Sequence, residues 1–186
     1  YIVSNIDKSI AFEWIAEKVD KSKFELTFIL LNSSKSYLHN WLKERKIESY
    51  LVPHQGKKSY LLSFLKLLKL LLKIKPHTVH THLFDANLTG LMAAKLLGIK
   101  KIIYTRHHST YHHDNFPSAV KYDKLCNYLA TDIVAISKNV KQVLISKEKV
   151  KEKKIQLIYH GFDLDSFMNI DKTHVEELWG KYKIEP

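Results

Sequence analysis

Short apolar, β-branched runs alternate with helix-period segments along almost the whole chain, and no other feature restricts its fold as much. Residues 1–4, 24–31, 47–52, 77–81, 101–105, 133–136 and 155–159 read as strands. Between them, residues 9–19, 35–46, 57–75, 86–97, 117–130 and a segment from Ser137 to about Lys147 carry apolar side chains at helical spacing, and 171–182 reads as a last helix. Pro76 and Gly98 stand just past two of the helix ends, where each stops a helix. Strands joined through helices must run parallel, with right-handed crossovers and helices packed on both faces. The expectation is one doubly wound α/β domain, a mostly parallel sheet of about seven strands.

In such sheets ligands bind outside the carboxyl ends of the strands. Seven of the eleven histidines fall between His77 and His113, in two clusters that each begin where a strand ends. The first holds His80, His82 and Asp85. Side chains two apart share one side of a strand, so both imidazoles can face one ligand. The second, Arg106 to Asn115, reads as a polar loop. In it Arg106 offers a planar fork for an anion, and His107 and His108 can hydrogen-bond or exchange protons. His77, His112 and His113 read as bystanders. A metal-dependent hydrolase built on His80, His82, Asp85 and His107 is one alternative, because imidazole and carboxylate suit zinc or iron. The first loop, SNIDKSIAFEW from Ser4 to Trp14, holds neither glycine-rich phosphate device. Ser9 is placed to cap the helix that follows.

The net charge of +11 favours an anionic partner or a solvated basic surface. A basic non-catalytic binding module is therefore a second alternative. The lysines are scattered and no recognition module is visible, so nucleic acid is not the expected partner. The lone cysteine, Cys126, suits a reducing, cytoplasmic setting. The leucine-rich helix 57–75 carries Lys66, Lys69 and Lys73 as a stripe. That pattern fits a crossover whose lysines snorkel, and it also fits a helix lying on the anionic inner face of a membrane.

Three stretches taken together carry a resemblance: VHTHLFDANLTGLMAAKLLGIKKIIYTRHHS, ATDIVAISKNVKQVL and KIQLIYHGFDLDSF. From about Val79 to Phe167 they resemble the N-terminal domain of the family 4 retaining glycosyltransferases, which have the two-domain GT-B fold. The resemblance implies a Rossmann-like acceptor-side domain over residues 1–168 and a helix with the start of a linker over 169–186. A donor-binding C-terminal domain would lie outside the sequence, whose start in mid-strand also reads as a clipped first strand. It further implies sugar transfer from a nucleotide-diphosphate donor to a glycan, lipid-linked or other hydroxyl acceptor, without metal or other cofactor. This portion alone is expected to be inactive. By position, His107 matches the catalytic cleft histidine. His82 matches a polar residue at the preceding strand end, Asp85 and Asn87 open the helix beside it, and Ser137, Lys138 and Asn139 match the strand-to-helix segment lining the cleft; Arg106 and His108, directly after the strand, are taken with them as substrate-binding. Gly161 and Asp163 match the signature bordering the domain interface, where His160 and Phe162 depart from it. SNIDKS stands where the family usually carries a glycine pair.

Overall fold

A computed structural model describes residues 1–164 and 172–183. Its strands are β1 (Ile2–Ser4), β2 (Phe28–Asn32), β3 (Ser49–Pro53), β4 (Thr78–His82), β5 (Lys101–Arg106), β6 (Asp132–Ala135) and β7 (Ile155–Leu157). They form one sheet in the order β3-β2-β1-β4-β5-β6-β7, and every pairing is parallel. The helices are α1 (Ile10–Lys18), α2 (Tyr37–Glu44), α3 (Tyr60–Ile74), α4 (Phe84–Leu96), α5 (Tyr111–Asn115), α6 (Val120–Leu129), α7 (Lys138–Ser146) and α8 (Lys172–Tyr182). The sheet is thus wholly parallel, and its architecture is Rossmann-like.

β2 (Phe-Ile-Leu-Leu-Asn) is buried at every position because both faces of the sheet are covered. Alternate residues serve opposite cores. Phe28 and Leu30 of β2 join Val3, Phe12, Leu38 and Trp41 under α1 and α2. Ile29 and Leu31 join Ile2, Leu67, Leu71 and Leu91 under α3 and α4. Strand order reverses between β1 and β4, so the connections that leave their carboxyl ends run to opposite sides and open a crevice at the switch point.

Several boundaries differ from the sequence expectation. β2 begins at Phe28, and Phe24 is left exposed. α4 begins two residues earlier, at Phe84, and β7 ends two residues earlier, at Leu157. Residues 106–115 are not a loop throughout, because Arg106 extends β5 and Tyr111–Asn115 forms the short helix α5. α3 ends with Lys75 in the left-handed conformation (φ 51°) before Pro76, and Gly98 takes the same role after α4 (φ 68°). The expected linker falls on 169–171 and 184–186, outside the described residues, as does the Phe167 end of the resemblance.

Gly90 of α4 sits where a Cβ would lie 2.8 Å from Thr81 Cγ2 and 3.1 Å from Ile2 Cδ1. Thr81 cannot swing away easily, because it is fully buried and its hydroxyl donates to Asn87 Oδ1 at 2.7 Å. Gly90→Ala is therefore expected to destabilise the protein by about 1–3 kcal/mol, the usual cost of overpacking. Urea unfolding measures it, and an unchanged midpoint would show that α4 can lift off the sheet.

Candidate functional site: the strand-end cleft

The carboxyl ends of the central strands, together with α1, enclose a cleft of about 700 Å³. Its floor is a chain of aromatic rings. Tyr1 stacks on His82 at 5.2 Å, His82 lies 4.3 Å from His80 and 5.5 Å from His107, and His107 stacks on His160 at 5.7 Å. His82 Nδ1 and His107 Nε2 are 3.2 Å apart, and His80 Nε2 is 2.8 Å from Thr105 Oγ1. His80 and His82 reach one face of β4 because they are two residues apart, as their spacing predicts.

A hydrogen bond between two imidazoles needs one nitrogen protonated and the other bare. Burial enforces the neutral forms. It holds His107 down to about 4, with His160 adding to the effect. His82 lies well below the ordinary imidazole value, through burial first and then through His80 and His107. At neutral pH the cleft therefore presents neutral hydrogen-bonding rings, not cations. Nε2 of His82 is buried with no partner among the described residues, so His82 serves through Nδ1 and its hydrogen bond to His107.

Backbone strain marks the same point. Leu83, between His82 and α4, has φ 71° and ψ 163°, a conformation open almost only to glycine. Its side chain lines this cleft and also a smaller cavity of about 220 Å³ beside it. Sequence reasoning did not single out Leu83, since nothing in a leucine signals an unusual φ.

The expected site residues separate into groups. His82, His107, Gly161 and Asp163 line the large cleft, with Asp163 Oδ2 2.8 Å from Lys18 Nζ. Asn87, Arg106 and His108 line the small cavity instead. Asp85 lines neither. It accepts from the Tyr60 hydroxyl and from Asn5 Nδ2 at 2.6 Å, and lies 3.2 Å from His54 Nε2. Ser137 accepts from the Val140 amide at 3.1 Å as the cap of α7, and Lys138 and Asn139 are exposed on its first turn, outside both cavities. Ser9 makes no capping hydrogen bond and faces the large cleft. His77 is exposed at the start of β4, at the far end of the sheet.

Arg106 requires a correction, because its fork is not available to a substrate. Nη1 and Nη2 reach Asp123 at 2.8 and 3.0 Å, Nη2 reaches Glu148 at 2.6 Å, and Nε donates to the His108 carbonyl at 3.0 Å. The side chain is buried. His112 and His113 are not idle loop residues either. His112 Nδ1 lies 2.7 Å from Asp123 and His113 Nε2 lies 3.2 Å from Glu148. Asn127 donates to Glu148 at 2.6 Å and accepts from Tyr104. Two buried carboxylates, Asp123 in the wall of the small cavity and Glu148 behind it, draw the arginine inward, since a buried charge must be paired. Sequence reasoning missed Asp123 and Glu148, which lie 17 and 42 residues from Arg106 with no local motif to join them.

Donor atoms of His108, His112 and Asp123 lie within 4.8 Å of one another. Asp123 already meets Arg106 through both oxygens, so a cation there would have to displace a guanidinium. The other metal set is not assembled, because Asp85 turns to Tyr60, Asn5 and His54 rather than to His82 and His107.

Two outcomes follow from this electrostatic arrangement. Arg106→Met should cost about 3–5 kcal/mol in urea unfolding, as expected when one partner of a buried ion pair is removed; a loss below ~1 kcal/mol would mean that water reaches the nest. The second concerns pH. His107 and His108 are each held to about 4 by burial, against 6.5 in the unfolded chain. The unfolded state then binds more protons between those values. Stability should be full above about pH 6.5 and fall as pH drops toward 4; a urea midpoint that stays level from pH 7 to 5 would contradict neutral buried rings.

Known proteins share this fold. A UDP-Gal:alpha-D-GlcNAc-diphosphoundecaprenol alpha-1,3-galactosyltransferase of Escherichia coli is 29% identical over 109 residues, which cover 56% of this chain and 28% of that enzyme. The structure of Anabaena HepE in complex with UDP-glucose superposes with a TM-score of 0.72 at 13% identity, over 98% of this chain and 49% of HepE. A UDP-GlcNAc 2-epimerase from Methanocaldococcus jannaschii superposes at 0.65 and 18% identity, over 84% of this chain and 44% of the epimerase. The chain thus spans half or less of the length of these relatives. Transferase and epimerase share the fold, so the fold alone does not choose the reaction. Residues 15–166 match the model of Glycosyltransferase Family 4, and the chain belongs to that family.

Proposed function

We propose that this chain is the acceptor-side domain of a retaining glycosyltransferase of the hexosyltransferase class. The whole enzyme transfers a sugar from a nucleotide-diphosphate donor to a hydroxyl acceptor, glycan or lipid-linked. The observation that carries the reading is a neutral imidazole pair, His82 and His107, at the carboxyl ends of β4 and β5 in the wall of a cleft of about 700 Å³. The match to the family supports it. HepE binds UDP-glucose, and the name of the Escherichia coli relative gives it a UDP-sugar donor and a diphosphoundecaprenol acceptor.

His107 is the catalytic residue of this domain. As a neutral ring it orients a hydroxyl of the reacting sugar, while His82 fixes its tautomer through the shared hydrogen bond. Gly161 and Asp163 border the seam with a donor-binding domain that residues 169–186 lead into. Helix dipoles and basic groups of that domain stabilise the diphosphate as charge develops on it, so no metal or other cofactor is needed. The reaction takes place in the cytoplasm, at the inner face of the membrane when the acceptor is lipid-linked. The buried Cys126 thiol, pushed up to about 12, suits a reducing compartment and has no part in the chemistry.

In the full-length enzyme, His107→Ala should lower turnover at least ~10-fold while leaving the unfolding temperature nearly unchanged, as expected for one positioned catalytic group. Donor consumption assayed beside the isolated 186-residue domain is the measurement. Unchanged turnover would remove His107 from the site, and turnover by the domain alone would refute the division of labour between domains.

A further inference from the structure

The outer face of α3 carries a run of exposed leucines. Its inner side packs Ser63, Leu67 and Leu71 against the core. Its outer side exposes Leu61 (73%), Leu62 (55%), Leu65 (53%) and Leu72 (58%). At 100° per residue, Leu61, Leu65 and Leu72 fall on one ridge, and Lys66, Lys69 and Lys73 on the ridge beside it. Leu62 sits among the lysines. A free-standing soluble surface has no use for four solvated leucines on one helix.

The charge on the outer face of α3 itself is all of one sign; the acidic groups nearest to the helix are Glu48, which holds the Tyr50 hydroxyl and faces Lys73, and Asp85, which holds the Tyr60 hydroxyl. Residues 49–84 hold six lysines and no aspartate or glutamate. Among the described residues, Lys66 and Lys69 form no ion pair, while Lys73 lies over the Tyr50 ring at 5.8 Å. A second copy of the chain docked here would bring lysine ridge against lysine ridge. A leucine edge flanked by lysines instead matches the boundary of an anionic bilayer, where acyl chains take the leucines and headgroup phosphates take the ammonium groups. No helix among the described residues is long and apolar enough to cross a membrane, so the match is to a helix lying on the surface.

We infer that α3 is a bilayer-docking helix, which inserts the Leu61, Leu65 and Leu72 ridge at an anionic membrane surface with Lys66, Lys69 and Lys73 on the headgroups. Its first residue reaches the carboxyl edge of the sheet. The Tyr60 hydroxyl donates to Asp85 at the start of α4, and Asp85 in turn accepts from Asn5 just after β1. Docking through α3 therefore brings the carboxyl edge of the sheet, where the cleft opens, near the bilayer. It deepens the transfer proposed above by placing the cleft where a lipid-linked acceptor would lie. Vesicle binding itself needs neither donor nor acceptor, so failure of docking would leave the transfer reading standing.

Co-sedimentation of the full-length protein with phosphatidylcholine vesicles, with and without phosphatidylglycerol, tests this directly. The expected result is binding to the anionic vesicles alone, weakened by added salt. Replacing the three lysines by glutamine should weaken it at least ~10-fold. Replacing Leu61, Leu65 and Leu72 by serine should weaken it comparably, with the unfolding temperature preserved because all six side chains are exposed. If the serine variant fails to fold, the glutamine variant decides. Absence of binding, equal binding to both vesicle types, or binding indifferent to the lysines would overturn the inference. So would a dimer in solution that the leucine substitutions dissolve.

Discussion

The parallel pairing of β1 with β4 is the constraint on which the rest of the molecule depends. It reverses the strand order, so the connections on either side of it diverge and leave a crevice that helices cannot fill. Everything with chemistry then has a fixed address. Asn5 follows β1, His82 closes β4, and His107 follows β5, all at one edge of the sheet. The close approach of Gly90 to Thr81 and Ile2 keeps α4 tight against these two strands. The strained Leu83 backbone shows that the turn at this seam is held by its surroundings rather than by its own preference.

Two polar clusters flank the seam and do different work. On one side, imidazoles are packed against aromatic rings, so burial strips them of charge and leaves hydrogen-bonding edges facing the cleft. On the other, Arg106 is locked by Asp123 and Glu148, with His112, His113 and Asn127 completing the carboxylates' bonds. Arg106 and His107 are neighbours in the chain. The ion-pair nest therefore anchors the backbone that carries the cleft histidine, a structural use of residues whose types suggest ligand binding. Pairing a buried guanidinium in this way is stabilising only because all its partners are present.

Much of this was legible in the amino-acid order. Short apolar runs and period-3.6 patterning reveal seven strands and the crossover helices between them, because strands covered on both faces are rich in apolar residues. The histidine clusters are legible as strand-end residues for the same reason. The His80 and His82 spacing correctly puts both rings on one face. Patterning could not tell that Tyr111–Asn115 curls into a helix, since that segment's bonds are set by its packing against the arginine nest. It could not show that Asp85 turns away from His82 toward Tyr60 either, because the Tyr60 and Asn5 partners come from distant parts of the chain.

By itself, then, the sequence determined the parallel α/β architecture, the edge of the sheet where a site belongs, and the family whose motifs it carries. Those properties follow from local periodicity and contiguous motifs. Only the tertiary structure decided that Arg106 is an anchor, that His82 and His107 share a hydrogen bond, and that four leucines of α3 are left on the surface. Each of these depends on which side chains from distant segments reach the same place. Burial and partnership, the two quantities that set whether a charge is neutralised, paired or free to bind, exist only once the chain is folded.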